Sequence, residues 1–507
     1  MMLTITLFLF ILCNIKQGQF VSVHPKLLVV SYDAFRYDYF NKNVTPYMNK
    51  LRNEGTHADY MMNIFVTKTF PNHHTMATGL YAETHGVVDN EVYDPVSGNI
   101  TKYSSQLYHY DNRILPIWTI NEKNIGRHSG TMMWPGSIFE YGGITPTYGQ
   151  AFNETVNWEK RVDTLISWFV DPTMPINLGI LYIEEPDYHG HFIGINNYSF
   201  NKILEKLDEI TKYLHIKLEQ YGLNDVNVIH LSDHGMATVT LDRIIDLNKY
   251  INSTDYTFVG TSPGLHIYPN RGKEQLIYQN LKLAAEETMN FKVYRKHEIP
   301  EKYHYGNNKR VGPIFVIANV GYAFQNLNDT IQFYKKKFNI TVDSTSEFGL
   351  HGYDNGAREM HPIFFAKGPA FVPGCKLEPF KNTDLFPLFC KILDIKCPKT
   401  NGSLTNISRC LKLQSDNISI LTYQIICITL VITLIGIAGA ILMFVIRKRR
   451  VERSNYRYRR YYRIFLIQRM LPFEGYHNLT TALNILSSDE QNASRKTRVN
   501  KSLDYFK

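Results

Sequence analysis

Cysteine is scarce, with six residues in a chain of 507, and none falls between Cys13 and Cys375. That excludes a disulfide-framed body, so the bulk of the chain must be held by a large core. Excess charge is also missing where it would matter. The net +9 sits at the C-terminal end: residues 447–507 hold 15 Lys and Arg against 5 Asp and Glu, leaving 40 against 41 elsewhere. A near-neutral body argues against binding a nucleic-acid polymer. Between residues 24 and 398 there is no low-complexity linker and no internal repeat. Strand-like apolar runs alternate there with helical patterns such as Ile203, Leu207, Ile210, Leu214 and Leu218, which stops near Gly222. This reads as one α/β domain, a mostly parallel sheet with helices on both faces.

Both ends carry other signals. Residues 1–19, apolar from Leu3 to Leu12 with a small residue at Gly18, read as a secretory signal peptide, although no Lys or Arg precedes the apolar run. Residues 420–446 contain no charge and are long enough to cross a ~30 Å hydrocarbon core. Arg447-Lys448-Arg449-Arg450 follows at once, which predicts a single-pass type I protein of the cell membrane with a basic cytoplasmic tail over 447–507. The tail's charge reads as a stop-transfer signal that also favours an anionic inner leaflet. Residues 399–419, rich in Asn and Ser, read as a stalk. With Cys13 removed and Cys427 in the span, four cysteines remain outside, with three possible pairings; Cys390–Cys397 with Cys375–Cys410 is the expected one. Asn-X-Ser/Thr sequons are frequent outside, but the tail holds them at a higher density, so they are weak evidence of export.

Three apolar runs lead into aspartates. Lys26 to Tyr32 is followed by Asp33; Ile176 to Ile183 by Glu184-Glu185-Pro186-Asp187 and then His191; Val226 to Leu231 by Ser232-Asp233-His234. A further loop supplies His351-Gly352-Tyr353-Asp354-Asn355, and Ile314–Ile317 and Ile363–Ala366 are additional strand candidates. In open α/β sheets ligands bind beyond the carboxyl ends of the strands. Asp33, Asp187, His191, Asp233, His234 and His351 would therefore gather at one edge. Carboxylate and imidazole without thiolate suit Zn²⁺, with Mn²⁺ or Mg²⁺ not excluded by donor type. Six ligands exceed one tetrahedral site and suit two. Each residue alone has an ordinary explanation, such as a helix cap; the four clusters together are the signal.

Thr69-Phe70-Pro71-Asn72 to Gly79 reads as a short helix, with Pro71 near its start and Gly79 at its end. Thr69 is then either a capping hydroxyl or an oxygen held where a helix N-terminus binds anions.

Lys68-Thr69-Phe70-Pro71-Asn72 with Thr78-Gly79-Leu80-Tyr81, Glu185-Pro186-Asp187 with Gly190-His191, Ser232-Asp233-His234-Gly235-Met236, and His351-Gly352-Tyr353-Asp354-Asn355 resemble the ectonucleotide pyrophosphatase/phosphodiesterase family of the alkaline phosphatase superfamily. The resemblance spans residues 24–398 and is closest to the short, type I membrane-anchored members. It implies an alkaline-phosphatase-like fold and two Zn²⁺, one on Asp187, His191 and His351, the other on Asp33, Asp233 and His234. Thr69 is implied as a metal-bound nucleophile that forms a covalent threonine ester by in-line displacement. Asn90 matches the family's phosphate-contacting Asn. The cysteines are too few for somatomedin-like repeats.

Family members cleave either nucleotides or lipid diesters. Phe70 and Phe152 are candidate faces for a base, Phe152 standing where several nucleotide-cleaving members have Tyr, and Lys68 is a candidate cationic contact. The expected substrates are extracellular nucleotides or dinucleotides (ADP, ATP, NAD, diadenosine polyphosphates), cleaved to nucleoside monophosphates. The alternatives are a lysophospholipid or choline-phosphodiester hydrolase, and an adhesion or receptor glycoprotein with a weak site.

Overall fold

Seven consecutive buried residues form β1 (Lys26–Tyr32), a central strand of an eight-stranded sheet in the computed structural model, which describes residues 21–412 and 420–470. The expected signal peptide lies outside the described residues. The other strands are β2 (Thr56–Ala58), β3 (Ser129–Met132), β4 (Tyr148–Gln150), β5 (Leu178–Ile183), β6 (Val226–Leu231), β7 (Phe364–Lys367) and β8 (Lys376–Leu377). Their order is β8-β2-β7-β6-β1-β5-β3-β4. β1 runs parallel to both β5 and β6, with Leu28 opposite Gly179 and Val228. β7 alone is antiparallel to its neighbours.

Strand alternation splits the apolar residues between two layers. Leu27 and Val29 enter one core cluster, with Met76 and Ala77 of α2 (Thr69–Thr78) and Leu385 and Phe389 of α6 (Leu385–Leu393). Leu28 and Val30 enter the other. There they meet Met48 and Leu51 of α1 (Pro46–Glu54), Val162 and Leu165 of α3 (Trp158–Phe169), and Leu204, Leu207 and Leu214 of α5 (Tyr198–Gln220). α4 (Asp187–Ile193) follows β5. This is the expected mostly parallel sheet with helices on both faces.

Ile314–Ile317 is a strand as expected, though in another sheet, and two further expectations are corrected. Ile314–Ala318 is not in this sheet; it pairs antiparallel with Gly264–Pro269 and Phe291–Arg295 in a four-stranded sheet with its own core around Leu265, Leu281 and Val316. A short run of Ile, Phe and Val is equally at home in either sheet. The stalk does not begin at residue 399. Ile407 and Cys410 are fully buried, Asn401 N–H donates to Gly79 O at 2.9 Å, and Lys412 N–H donates to Ala370 O at 2.8 Å. Polar composition conceals two apolar anchors; residues 413–419 lie outside the described residues. Cys375–Cys410 is bridged, but Cys390 and Cys397 are free thiols in contact with each other.

Residues up to Leu413 form one compact unit and those from Gln414 a second. The second is described through α7 (Ile420–Met470), which among the described residues is the helix long and apolar enough to cross a membrane. It does not stop at Ile446. No Gly or Pro interrupts residues 447–470, so the basic stretch continues the helix. Tail residues 471–507 lie outside the described residues.

Candidate active site

β1, β5 and β6 end at one edge, and hydrogen bonds join the segments just beyond them. Asp33 N–H donates to Ile183 O at 2.9 Å, Asp187 N–H to Asp33 O at 3.1 Å, and Ala34 N–H to Asp233 Oδ1 at 3.2 Å. His351 arrives from a different direction. The strand Glu347–Leu350 pairs antiparallel with Ala237–Thr240, placing Leu350 opposite Ala237, just beyond His234. The His234 and His351 rings stack at 3.7 Å between centroids. Glycines permit this closeness: a Cβ on Gly349 would lie 2.2 Å from Met236 Sδ and 2.5 Å from Gly190 O.

The donor atoms are prepared for cations. His191, His234 and His351 each donate Nδ1–H to a backbone carbonyl at 2.9 Å, on Gly349, Gly235 and Thr67 respectively. In the neutral ring each Nε2 then carries the lone pair; burial opposes protonation, but Asp187 and Asp233 outweigh it and raise His191 and His234. Among the described residues, Asp33 Oδ1, Asp187 Oδ1 and Asp233 Oδ2 are buried without a hydrogen-bond partner. Buried carboxylate oxygens left unpaired are destabilising, and a bound cation would offset that cost. Two groups have ligand atoms within 4.8 Å of one another: Asp187, His234 and His351, and Asp33, Asp233 and His234. His191 Nε2 lies 3.2 Å from Asp187 Oδ2, and its ring centroid is 5.1 Å from that of His351.

Protonation follows the same geometry. Burial, then the charges of Asp233 and Asp187, raises the Asp33 carboxyl well above its ordinary value. Burial favours the neutral Asp187 acid too, but the neighbouring His191, itself raised by that carboxylate, outweighs burial and holds the group down to about 2. Burial and the neighbouring His234 lower His351 to about 3, so it stays neutral. Tyr182 Oη donates to Asp33 Oδ2 at 2.6 Å and fixes its orientation.

Thr69 opens α2, and Lys68 is the residue at the cap position. The Thr69 hydroxyl makes no cap; its Oγ1 faces His234 Nε2 at 3.3 Å. Beneath it, His73 Nδ1–H donates to Thr69 O at 2.8 Å and Ser31 Oγ–H donates to His73 Nε2 at 2.9 Å. Asn90 Oδ1 accepts from Phe70 N–H at 3.0 Å. Thr69 N–H and Asn90 Nδ2 bond to no described residue. Gly79, with φ +69°, ends the helix in the left-handed conformation.

Lys68 does not offer its charge to the cleft. Its side chain is 1% exposed, and Nζ donates to both Asp89 oxygens at 2.8 Å and to Thr261 O at 2.9 Å. Asp89 Oδ1 also accepts from Asn90 N–H at 2.6 Å. Four consecutive residues thus each engage a different part of the site: Thr67 with His351, Lys68 with Asp89, Thr69 with His234, Phe70 with Asn90. Asp89, Thr67, His73 and Tyr182 are not singled out by sequence; Asp89 stands beside Asn90, and His73 lies within the Thr69 motif. Phe70 is half-buried against Tyr103, at 5.3 Å between ring centroids. Phe152 is 49% exposed, on an open groove formed by residues 149–155, with its ring 6.1 Å from Tyr182.

A hydroxyl at a helix N-terminus, facing carboxylates and imidazoles gathered at the ends of parallel strands, defines a metal-assisted hydrolase of phosphate esters. The chain belongs to the type I phosphodiesterase/nucleotide pyrophosphatase family, whose match covers residues 27–354. It is 37% identical over 410 residues to human ectonucleotide pyrophosphatase/phosphodiesterase family member 5, covering 78% of this chain and 81% of that one. It is 37% identical over 393 residues to the bis(5'-adenosyl)-triphosphatase of Xenopus laevis, covering 77% and 82%. The solved murine family member 5, an inactive Thr-to-Ala variant in complex with AMP, superposes with a TM-score of 0.69 at 38% identity, over 76% of this chain and all of that one. The fold is therefore alkaline-phosphatase-like, and the chain is a hydrolase of this family.

Proposed function

We propose that this protein is a zinc-dependent ectoenzyme that hydrolyses extracellular nucleotides or dinucleotides to nucleoside monophosphates, with Thr69 as nucleophile. The observation that carries the reading is Thr69 Oγ1, at the free N-terminus of α2 and 3.3 Å from His234 Nε2, among three carboxylate oxygens that accept no hydrogen bond from the described residues and face imidazole nitrogens at 3.1–3.4 Å. His234 has a single available lone pair, because Nδ1 is held by Gly235. It can serve one ion only. Since His191 joins Asp187 and His351, the division that uses all six residues assigns those three to one ion and Asp33, Asp233 and His234 to the other. Bound there, two zinc ions would supply Lewis-acid charge for the phosphoryl oxygens and favour the ionised Thr69 hydroxyl.

The chain's own groups account for the rest. Thr69 Oγ1 forms the bond to phosphorus as the bond to the departing phosphate oxygen breaks, giving a threonine ester of the nucleoside monophosphate. Water then cleaves that ester. Thr69 N–H and Asn90 Nδ2, both unengaged among the described residues, are placed to hold a non-bridging oxygen as its charge grows. Phe70 and Phe152 offer ring faces for the base. The name of the Xenopus relative, and AMP in the murine structure, favour a dinucleoside triphosphate over a lipid diester. The span with its following Arg and Lys run supports a type I orientation at the cell surface.

The test is a substrate panel on the soluble ectodomain. Dinucleoside triphosphate and the p-nitrophenyl ester of thymidine monophosphate should be cleaved, the p-nitrophenyl ester of phosphorylcholine should not, and chelation should abolish turnover. Thr69→Ala should lose at least about 10³-fold in kcat while keeping metal content and melting temperature. Normal turnover by that variant sinks the mechanism.

A further inference from the structure

α7 carries a second, two-faced surface beyond its apolar span. From residue 447 to 463 there are nine Lys and Arg against one acid, Glu452. They are not spread evenly. Tyr458, Tyr461, Tyr462 and Phe465 follow the i, i+3, i+4, i+7 spacing of one helix face, with Val451 on the same face two turns earlier. These five are between 53% and 76% exposed. The opposite and flanking faces present Lys448, Arg449, Arg453, Arg457, Arg459 and Arg463, while Arg447 shares the aromatic face at its membrane end.

We propose that residues 447–466 form an interfacial helix that binds an anionic lipid surface on the side of the membrane where the span ends. The inference rests on the reading of residues 420–446 as a membrane anchor. The choice of occupant comes from charge and tether. The span delivers this segment to the headgroup layer, where its cations meet lipid phosphates and carboxylates. Tyr and Phe are the side chains suited to the boundary between headgroups and acyl chains. Standing upright, the segment would hold about 30 Å of helix in water with its aromatic stripe bare. Lying flat gives both faces a matching medium. Lying flat requires the continuous helix to bend where the apolar span gives way to Arg447–Arg450 on entering the headgroup layer.

The experiment uses the full chain reconstituted in bilayers, with Cys397→Ser and Cys427→Ala removing the exposed free thiols and the buried Cys390 left in place. Nitroxide labels are placed through Tyr462→Cys, Arg457→Cys or Ile435→Cys, and collisions with lipid-soluble oxygen are compared with those of a water-soluble nickel chelate. In phosphatidylcholine containing phosphatidylserine, the label at 462 should favour oxygen severalfold and the label at 457 should favour nickel. In phosphatidylcholine alone, or with Arg449→Gln, Arg453→Gln and Arg457→Gln combined behind the label at 462, that label should become nickel-accessible. A wet label at 462 in the anionic bilayer overturns the proposal. So does a label at 462 shielded from both reagents, which marks a second copy or another protein on the aromatic face. A label that stays in lipid without anionic headgroups overturns the charge requirement. Wetting of the label at 435 instead overturns the anchor reading itself.

Discussion

Removing the Lys68 ammonium would leave Asp89 ionised and buried without a counter-charge, so Lys68→Met should cost about 3–5 kcal/mol of the catalytic domain's stability, read from denaturant melts. Adding Asp89→Asn should recover part of that loss, because the uncompensated charge is then gone. A Lys that merely contacted substrate would raise KM and leave the melt unchanged. Asn90→Ala tests the oxygen cradle: kcat should fall about 10²–10³-fold with metal content intact. At this scale the proposed ligand residues, which the fold gathers at one edge of the sheet, are visible in sequence because acid and imidazole beside apolar runs are rare together. Lys68 is misleading for a physical reason. A cation beside a nucleophile looks the same in sequence whether it faces a phosphate or a buried aspartate 21 positions away.

The ligand set depends on how closely α4 and the strand Glu347–Leu350 approach. Gly349→Ala would force Met236 and the Gly190 carbonyl apart and move the carbonyl that orients His191. Metal affinity should drop about 10–100-fold, measured as zinc retained after dialysis against a weak chelator. An alanine variant that keeps its zinc would show that the close contact can relax harmlessly. The long central strands, α5 and the helix behind Thr69 are legible from periodicity and from terminal residues. The second sheet is not, because strands of four to six residues carry no mark of which sheet they join. Residues 399–412 resemble a stalk in sequence since, among them, the fully buried anchors are only Ile407 and Cys410.

Across the catalytic domain several histidines are buried in their neutral form. Burial lowers His74 and His266 to about 3 and His215 to about 4. The unfolded chain binds protons at these sites near pH 6.5 and the folded chain does not, so stability falls as pH drops from about 6.5 toward 3–4. Each contributes at most about 1.4 kcal/mol per pH unit. The melting temperature should therefore decline by several degrees from pH 7 to pH 5. His74, whose ring nitrogens have no hydrogen-bond partner among the described residues, is the position to probe. His74→Phe should flatten that decline, and an unchanged slope would assign it to other groups.

Residues 67–70 make their four contacts in strict succession, and this has a consequence for length rather than chemistry. Thr67 and Phe70 make theirs through backbone atoms, so substitution at any one of the four alters at most one contact and leaves the others in place. An inserted residue between Lys68 and Thr69 would rotate the start of α2 by about 100° relative to the preceding segment. Thr67 could then stay with His351, or Thr69 with His234, but not both. The segment should therefore accept graded changes of side chain while rejecting every insertion or deletion.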